Sequence, residues 1–584
     1  MRRIILWLLL LVVATARLYG YRLQDAPPHV EIDEVLIALD AHAIATTGRD
    51  LRGELLPLYS QTAEHSWYQP MVIYATAVAM SVLPLSEWSV RVPTVCIAVL
   101  DVALMYLLIR QLFGSDLLGA IAASLLALTP AHFIHTRYGM DYVYPVPFVL
   151  AWLLCLVSYR QSHRPRWLLL GSLVLGVGFY SYIASIVLMP IYAVLTFLLL
   201  YHERADRRRY YLVAAGFLPL LLPFLIWLMR HPSAYAATMT KYGVYDVNQL
   251  NAAQGLRSVV SYLSIGQRLS QYWNFFNPSF LFFGGGTKLM FSTNLVGVFL
   301  LPLAFFIVAG MYAAIRSWRE EPLFLIVLLG FLTAPLAALI VIEENAIFRA
   351  LTMVPFGILI ATIGVREAWL WAARSARWPS LRGLAVAAAA AGAAYGIWAF
   401  LKQSHISGSA LALMGVAAAI LLVDRLRDSS QQWRLAVIAV LALIPLQFRG
   451  FWHDYFTDYR VRSAYWLGGN IGGALEAIIA RDNREHVPAI YFSTLESTAG
   501  QVDGRNQYMD AYWKFYLTKH GRQDLLSRTR AFDPARVSEL LKGSLVLANL
   551  GAVGPDTAVR AGDLRVVETI GELDRSSFFV VLQR

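Results

Sequence analysis

Long apolar windows separated by short, arginine-rich connections dominate the pattern of hydrophobic and polar positions along most of this chain. A helix needs about 20 apolar residues to cross a bilayer, and windows near that length recur between residues 4 and 449. They fall at 4–22, 90–112, 116–131, 145–159, 166–182, 184–201, 211–229, 294–315, 322–342, 347–366, 383–401, 409–423 and 435–449. The pattern therefore predicts an α-helical polytopic membrane protein with about thirteen transmembrane helices.

The basic residues between these windows predict the orientation of the chain. Cytoplasmic loops carry an excess of Lys and Arg. If Arg2 and Arg3 are cytoplasmic, every arginine-rich loop lies on that side, and the opposite short connectors carry little positive charge apart from Arg137 and Lys402. We therefore expect a cytoplasmic N-terminus and a location in the inner, or plasma, membrane.

The orientation of all later loops depends on residues 71–85, because a membrane crossing there would move every later arginine-rich loop to the other side. The segment is short and is closed by Pro84, so we interpret it as an interfacial helix on the outer leaflet. Residues 24–89 then form one long external loop, in which 34–47 has the pattern of a short amphipathic helix. Residues 231–293 form a second long external segment.

Residues 450–584 have the charge and polar content of an ordinary soluble domain. Strands are predicted at 487–493, 544–548, 564–570 and 578–582, and helices at 470–481, 510–519 and 534–541. The chain is therefore expected to contain a transmembrane domain over 1–449, which includes the external loops, and a soluble extracytoplasmic α/β domain over 450–584.

The composition agrees with a membrane protein. Of the 584 residues, 58% are hydrophobic and 15% are charged, which is less charge than soluble proteins carry. The net charge of +11 is explained by the arginine-rich loops, so it does not indicate nucleic-acid binding. Cys96 and Cys155 lie in apolar windows and indicate no disulfide framework. Residues 1–23 resemble either a signal peptide or a retained anchor, and the apolar residues after Arg17 favour the anchor.

The first polar segment after the N-terminal window contains Glu31, Asp33 and Glu34. Two interpretations of these acids are open. They are stabilised by the helix dipole if they lie in the first turn of a helix. Acids in a loop at a membrane face also suit a general base that accepts a proton from an acceptor hydroxyl or amine.

Several stretches resemble, in order, the motifs of the membrane glycosyltransferases of the GT-C superfamily, which includes protein O-mannosyltransferases and bacterial aminoarabinose transferases. The resemblance covers roughly residues 1–370 and departs from the family at Gln69, where relatives commonly carry a proline, a lysine or an acid. The matching stretches are Asp33-Glu34, Trp67-Tyr68-Gln69-Pro70-Met71, Arg91-Val92-Pro93-Thr94, Leu128-Thr129-Pro130 through Arg137 to Asp141, and Arg349-Ala350-Leu351 with Pro355.

The resemblance implies an inverting transfer of a sugar from a polyprenyl-phosphate donor to a lipid, glycan or protein acceptor. It indicates no cofactor and at most a weak dependence on a divalent metal. Asp33 would be the catalytic base with Glu34 as the second candidate, and Asp141 would orient the acceptor or the sugar. Tyr68 and Gln69 would belong to the substrate-binding motif.

Arg91 and Arg137 each have a functional and a structural interpretation. Arg91 lies at the outer end of a span, where an arginine can simply extend to the interface; by its place in the family it would hold the loop carboxylates or the donor phosphate. Arg137 and Asp141 are four residues apart, so they would pair on one face if the stretch were helical. Otherwise Arg137 would bind phosphate.

Arg349 and Lys288 are candidate phosphate ligands on the later external segments. A guanidinium binds phosphate through two N–H groups, and a lysine supplies a point charge. Glu343 and Glu344 lie close to Arg349 in sequence, so a structural ion pair is the alternative. The aromatic and glycine-rich stretch around Lys288 also suits an interfacial belt.

Other classes of site have weaker support. His65, His132 and His135 have a spacing compatible with a metal site, but no Cys or His/acid signature accompanies them. The sequence has no Walker motif or dinucleotide fingerprint, so nucleotide sugars are not expected as direct donors. A transporter or flippase of a lipid-linked sugar is the alternative function. It would need ionisable residues within its spans, where Asp101 is the notable one.

Overall fold

The computed structural model describes residues 2–61, 67–341, 343–374, 429–493, 507–532, 534–550 and 553–584, with the short pieces 390, 392–394, 396–397 and 414–415. The chain forms two compact units. The helical unit comprises Met1–Tyr21, Gln69–Val72 and Thr94–Tyr455, and the α/β unit comprises Arg22–Tyr68, Ile73–Pro93 and Phe456–Arg584. The domain boundary expected at residue 449 stays a prediction.

Apolar helices account for most of the helical unit. Among the described residues, eight helices are long and apolar enough to cross a membrane: Arg2–Gly20, Glu87–Phe113, Asp141–Ser162, Ser185–His202, Arg207–Arg230, Pro322–Val341, Met353–Trp371 and Trp433–Phe456. Shorter apolar helices are Pro70–Met80, Asp116–Ala127, Arg166–Gly178 and Leu303–Ser317. The prediction of a polytopic helical membrane protein is confirmed. The number thirteen stays a prediction, because the windows 383–401 and 409–423 lie largely outside the described residues.

Several shorter helical segments connect these helices. They are Pro130–His135, Ser233–Lys241, Ala252–Val259, Tyr262–Asn274 and the π-helical turn Ser279–Gly284, with 3₁₀ turns at Asp141–Val143, Leu218–Leu221, Ala334–Ala337 and Ile347–Ala350. The predicted window 294–315 begins too early, since its helix starts only at Leu303 after Pro302. Asn294 adopts a φ of 58°, which an α-helix does not accommodate.

Two glycines allow the helices Leu303–Ser317 and Met353–Arg374 to pack with their backbones in contact. A Cβ atom placed on Gly310 would lie 1.8 Å from the carbonyl oxygen of Ile360, and one on Gly364 would lie 1.9 Å from that of Phe306. No side chain fits at either position. Close approach at small residues is typical of helix pairs in membranes, where dispersion contacts replace the hydrophobic driving force.

The α/β unit contains a five-stranded sheet. The strand order is Thr529–Phe532, Ile490–Ser493, Leu545–Asn549, Ser577–Gln583 and Arg565–Gly571. The first three strands are parallel to one another, and each of the last two is antiparallel to the strand before it in this order. A short hairpin pairs Ser60–Gln61 with Trp67–Tyr68. The helices are Ile32–Thr47, Asp458–Ala464, Ile471–Glu485, Gln507–His520 and Val553–Arg560, with 3₁₀ turns at Tyr465–Leu467, Gln523–Arg528 and Pro534–Glu539.

The four strands predicted from alternation are present, but the edge strand Thr529–Phe532 was not predicted because its two middle residues are exposed. The central strand Leu545–Asn549 is buried at its first four positions, as a strand covered on both faces should be. Its Val546 lies opposite Leu582 and belongs with Tyr491 and Phe532 to the core of the sheet.

The helix predicted at 34–47 is present in the α/β unit as Ile32–Thr47, but the exposed polar face expected for it is wrong over residues 34–41. Every residue from Glu34 to Ala41 is buried, on all sides of the helix. The helix packs against Gln507–His520, and the hydroxyl of Tyr512 donates to the carbonyl of Val30 at 2.9 Å. Contact with residues far away in sequence therefore covers the face that the polar pattern left exposed.

Asp40, which is 4% exposed within this helix, makes the stability of the α/β unit depend on pH. Burial raises its pKa to about 6, although the amide of Leu51 donates to the carboxylate. The folded protein therefore binds a proton more tightly than the unfolded chain, and stability falls as the pH rises from about 4 to about 6.

We expect Asp40→Asn to stabilise the protein by about 2 kcal/mol at pH 8 and to have little effect at pH 4, because asparagine keeps the acceptor but cannot ionise. Thermal unfolding of the detergent-solubilised protein at both pH values measures the difference. Asp563→Asn, at an exposed position, is the control. Equal stabilisation by Asp40→Asn at both pH values would contradict the assignment.

Candidate active site

Three carboxylates are brought together by the start of the helix Ile32–Thr47. Glu31 is the N-cap: its carboxylate accepts the amide of Asp33 at 2.6 Å, and the amide of Glu31 donates to the carboxylate of Glu34 at 3.1 Å. This reciprocal capping satisfies amides that the helix leaves unpaired. Burial and the neighbouring charge of Asp33 raise the pKa of Glu31 well above its ordinary value.

Glu34 is neutralised by Arg91. The two side chains are 0% and 1% exposed. The Nε and one terminal nitrogen of Arg91 donate to the two oxygens of Glu34 at 2.9 and 3.1 Å. Three further bonds reach the carbonyls of Leu23, Pro27 and His29 at 2.8–3.0 Å. Arg91 thus holds a loop carboxylate, the first of the two roles considered from the sequence, and all five of its N–H groups donate to protein acceptors.

Asp33 is the member of the three whose carboxylate neither caps the helix nor forms the buried ion pair. Its side chain is half-buried, and Oδ1 accepts the hydroxyl of Tyr68 at 2.6 Å. Tyr68 is held in the hairpin, where it pairs with Ser60. Among the described residues no hydrogen bond engages Oδ2 of Asp33. The structure thus fixes the carboxylate through one oxygen.

Gln69, the next residue in the chain, belongs to the helical unit. It immediately precedes the helix Pro70–Met80 and is 2% exposed. Its Oε1 atom is buried without a hydrogen-bond partner among the described residues. The helix that follows has 11 residues, too few to cross a membrane alone.

A second charged cluster lies in the helical unit, where Glu343 accepts bonds from two cations. Lys288 Nζ lies 2.5 Å from one carboxylate oxygen, and Arg349 Nε lies 3.1 Å from the other. Burial alone would raise the pKa of Glu343, but the two cations lower it below its ordinary value. The structural pairing considered for Arg349 is therefore present, with Lys288 included in the same cluster.

Arg349 is 13% exposed and lies between aromatic rings. Its guanidinium carbon is 5.0 Å from the ring centre of Tyr242 and 4.9 Å from that of Phe348. Among the described residues no acceptor engages its two terminal nitrogens. Cation–π contacts orient the group without using its N–H donors.

Aromatic side chains continue from this arginine. Phe348 lies 4.4 Å from Phe291 and 5.0 Å from Tyr142, between ring centres, and His135 stacks on Phe291 at 5.6 Å. Tyr142 follows Asp141 in its 3₁₀ turn. These aromatic residues were not predicted, because their spacing follows no single helix face. The sequence signal was limited to the general abundance of aromatic residues in the external segments.

Tyr182 connects Asp141 electrostatically with the cationic cluster. Burial raises the pKa of the Tyr182 hydroxyl well above its ordinary value; the charge of Arg349 lowers it and that of Asp141 raises it. Both charged groups therefore act on one buried hydroxyl. Asp141 itself is half-buried at the start of its turn.

Arg137 is buried and held by groups of the helical unit. It donates to the carbonyl of Tyr19, and its guanidinium carbon lies 5.3 and 5.6 Å from the ring centres of Phe133 and Tyr455. The pairing considered for Arg137 and Asp141 assumed that both residues lie on one face of a helix, and this assumption is wrong. Residues 136–140 form a turn between two short helical segments, so the chain has no common helix face there.

The histidines do not form a metal site in the part of the chain that the structure describes, where no cluster of three or more potential ligands occurs. His65 lies outside the described residues. His132 lies between the hydroxyl of Tyr19, at 2.8 Å, and the carboxylate of Asp101, at 3.1 Å, and all three are fully buried. His135 donates from Nδ1 to the carbonyl of Ala131 at 2.7 Å.

We expect Arg91→Met to destabilise the protein by about 3–5 kcal/mol, because it leaves the charge of Glu34 buried without a partner. The double variant Arg91→Met/Glu34→Gln should be more stable than Arg91→Met alone, since it removes that charge and retains the capping oxygen. Thermal unfolding in detergent measures both.

Arg22→Met is the control for this pair, because Arg22 and Asp25 form an exposed ion pair that contributes about 0–1 kcal/mol. A double variant less stable than Arg91→Met would show that the buried charge is not the main cost.

Comparison with known proteins supports one fold. The sequence model of a family described as dolichyl-phosphate-mannose-protein mannosyltransferase matches residues 64–227. Comparison with curated proteins gives no significant match. The structure of ArnT from Cupriavidus metallidurans bound to undecaprenyl phosphate aligns with a TM-score of 0.52 and 15% identity, over 98% of this chain and 97% of that chain.

The apo state of the same ArnT aligns with a TM-score of 0.50 and 14% identity over the same shares of both chains. The archaeal oligosaccharyltransferase AglB from Archaeoglobus fulgidus, in complex with an inhibitory peptide and a dolichol-phosphate, aligns with a TM-score of 0.39 and 14% identity, over 75% of this chain and 56% of that chain. The resemblance seen in the sequence is confirmed: this multi-pass membrane protein has the fold of the membrane glycosyltransferases of the GT-C superfamily.

Proposed function

We propose that this protein transfers a sugar, with inversion, from a polyprenyl-phosphate donor to a lipid, glycan or protein acceptor. The observation that carries the proposal is Asp33, a half-buried carboxylate that Tyr68 fixes through one oxygen. The reaction would take place at the outer face of the inner membrane, with the N-terminus in the cytoplasm and residues 450–584 outside.

Asp33 suits a general base better than its two neighbours do. Glu34 is completely buried and bound to Arg91, so it cannot reach a substrate. The carboxylate of Glu31 caps the helix. Tyr68 holds one oxygen of Asp33 in a fixed orientation, and no hydrogen bond among the described residues engages the other. This second oxygen can accept the proton of an acceptor hydroxyl while the hydroxyl oxygen attacks the sugar.

Arg349 and Lys288 suit the donor phosphate. The two terminal nitrogens of Arg349 form a planar fork that matches a phosphate, and Lys288 is 49% exposed with one ion-pair partner, Glu343. A dianionic or monoanionic leaving phosphate would be stabilised by both cations while Glu343 keeps them in place. In this proposal Asp141, whose charge acts on the buried hydroxyl of Tyr182, orients the sugar or the acceptor.

The names of the matched proteins agree with this donor class. The matching family is described by a dolichyl-phosphate sugar, and the aligned ArnT structure contains undecaprenyl phosphate; both are polyprenyl phosphates. These names support the class of donor.

A transporter of lipid-linked sugars, which performs no chemistry, is less well supported. Such a protein needs ionisable groups that line a pathway through its spans. Asp101 is the ionisable residue considered for that role, and it is fully buried and bound to His132. This contact is typical of a structural polar pair inside a helical bundle.

Asp33→Asn is expected to lower the transfer rate by about 10²–10⁴ while donor binding is retained, because the substitution keeps size and removes the base. Purified protein would be incubated with radiolabelled polyprenyl-phosphate sugars and a membrane lipid extract, and released polyprenyl phosphate would be measured.

Asp25→Asn, an exposed aspartate of the same unit, is the matched control and should transfer at the wild-type rate. Full activity of Asp33→Asn would refute Asp33 as the base. Movement of lipid-linked sugar across vesicles without any release of polyprenyl phosphate would favour the transporter.

Arg349→Ala is expected to weaken binding of undecaprenyl phosphate by about 10- to 100-fold, because each charge-assisted hydrogen bond contributes strongly to affinity. Lys288→Met should weaken it less, since a flexible surface ammonium is a single point charge. Equilibrium binding in detergent measures both, with the exposed Arg257→Ala as control. Unchanged affinity in Arg349→Ala would assign the phosphate to other residues.

A further inference from the structure

A cavity of about 450 Å³ lies in the helical unit beside the glycine-rich loop 284–286. Its wall is made by that loop together with polar side chains, among them Asn274, Asn277, Asn294 and Asn345, and by the carboxylate of Glu344. The volume is in the range of natural small-molecule sites and is large enough for a sugar ring. The lining residues include no Lys, Arg or His, so the cavity is not built for a phosphate.

Two amide oxygens of this wall are buried without a hydrogen-bond donor among the described residues. They are Oδ1 of Asn294 and Oδ1 of Asn345. An unsatisfied buried acceptor costs free energy, and in native proteins such groups are rare and call for a bound partner. Hydrogen-bond donors, such as water or the hydroxyl groups of a ligand, would satisfy them.

The backbone holds both asparagines in an unusual conformation. Asn294 has a φ of 58° and Asn345 a φ of 51°, in the left-handed region that side chains seldom adopt. Strain of this kind is frequent at ligand sites, where the surrounding structure maintains it. At Asn294 the turn is held by Ser292, whose hydroxyl accepts the amide of Asn294 at 3.1 Å and donates to the carbonyl of Gly284 at 3.0 Å.

Gly285 allows this loop to close on itself. It has a φ of 63°, and a Cβ atom there would lie 2.5 Å from the hydroxyl oxygen of Ser292. No other residue fits at this position. The cavity wall is therefore a built feature that requires a specific glycine, a specific serine and two asparagines.

The chemistry of the wall matches a neutral polyhydroxylated ring. Amide side chains both donate and accept, as adjacent sugar hydroxyls do, and a carboxylate such as Glu344 accepts from two neighbouring hydroxyls. The wall is also adjacent in sequence to the cationic cluster, because Thr287 precedes Lys288 and Glu344 follows Glu343. A sugar in the cavity would thus lie next to the proposed site of the phosphate.

We propose that this cavity binds a sugar ring through the amides of Asn294 and Asn345. The proposal rests on the proposed glycosyl transfer and names the part of the protein that recognises carbohydrate. The same chemistry is offered by the sugar of the donor lipid and by a glycan acceptor.

Asn294→Gly and Asn345→Gly test the proposal, because glycine tolerates the positive φ and removes only the amide. Asn248→Gly, at an exposed position of the same unit, is the control. Binding would be measured for undecaprenyl phosphate, for undecaprenyl phosphate carrying a hexose or a pentose, and for a panel of labelled free mono- and disaccharides.

We expect each variant to bind plain undecaprenyl phosphate as the wild type does. Each should lose about tenfold in affinity for a glycosylated lipid if the cavity holds the donor sugar. If the cavity holds an acceptor glycan, the loss should instead appear with the free saccharides. The control should lose neither.

Unchanged binding of every saccharide probe in both variants would overturn the proposal. Binding of ⁴⁵Ca²⁺ would be measured in the same proteins. Saturable ⁴⁵Ca²⁺ binding by the wild type that both variants lose, without any change in saccharide binding, would also overturn the proposal, since the amide oxygens would then belong to a cation site. Failure of the wild type to bind undecaprenyl phosphate would count against the glycosyl transfer itself, whereas normal lipid binding without any sugar effect would count against the cavity alone.

Discussion

A buried guanidinium bound to five protein acceptors is the interaction on which the arrangement of Glu31, Asp33 and Glu34 depends. Arg91 neutralises Glu34 and also binds the carbonyls of Leu23, Pro27 and His29. A carboxylate and an arginine are tolerated in a protein interior only when charge and hydrogen bonds are satisfied together. Because Glu34 also accepts the amide of Glu31, the same contact fixes the first turn of the helix and hence the position of Asp33.

The two arginines that matter most differ in how their donors are used. All the donors of Arg91 are used within the protein, so this side chain is a positioning residue. Arg349 is held through Nε by Glu343 and through its face by Tyr242 and Phe348. Its terminal nitrogens keep their capacity for a ligand. The location of an arginine near an active site therefore says less about its role than the number of its N–H groups already bound.

The helical unit combines rigid packing with local strain. Gly310 and Gly364 let two helices touch through their backbones. The loop before the helix Leu303–Ser317 contains the left-handed Asn294 and the closely packed Gly285, and the segment before the helix Met353–Arg374 contains the left-handed Asn345. Free energy gained from packing elsewhere maintains these conformations, and the polar cavity they create is the feature that a ligand would complete.

The candidate residues themselves were found from the sequence, because apolar windows, basic loops and motif order are local signals. Asp33, Arg91 and Arg349 could be named in this way. Their partners could not, since Tyr68 lies 35 residues from Asp33 and Glu34 lies 57 residues from Arg91. Periodicity shows whether a position is covered, but not by which part of the chain.

The sequence by itself determined the class of the protein, the order of its apolar helices and the strands with alternating or continuous apolar residues, because these depend on the affinity of each segment for membrane or core. Only the tertiary structure decided that residues 34–41 of the helix Ile32–Thr47 are buried on all sides, that a helix begins at Leu303 and not earlier, and which carboxylate is neutralised by Arg91. Those outcomes depend on contacts between residues distant in the chain, whose free energy no local pattern contains.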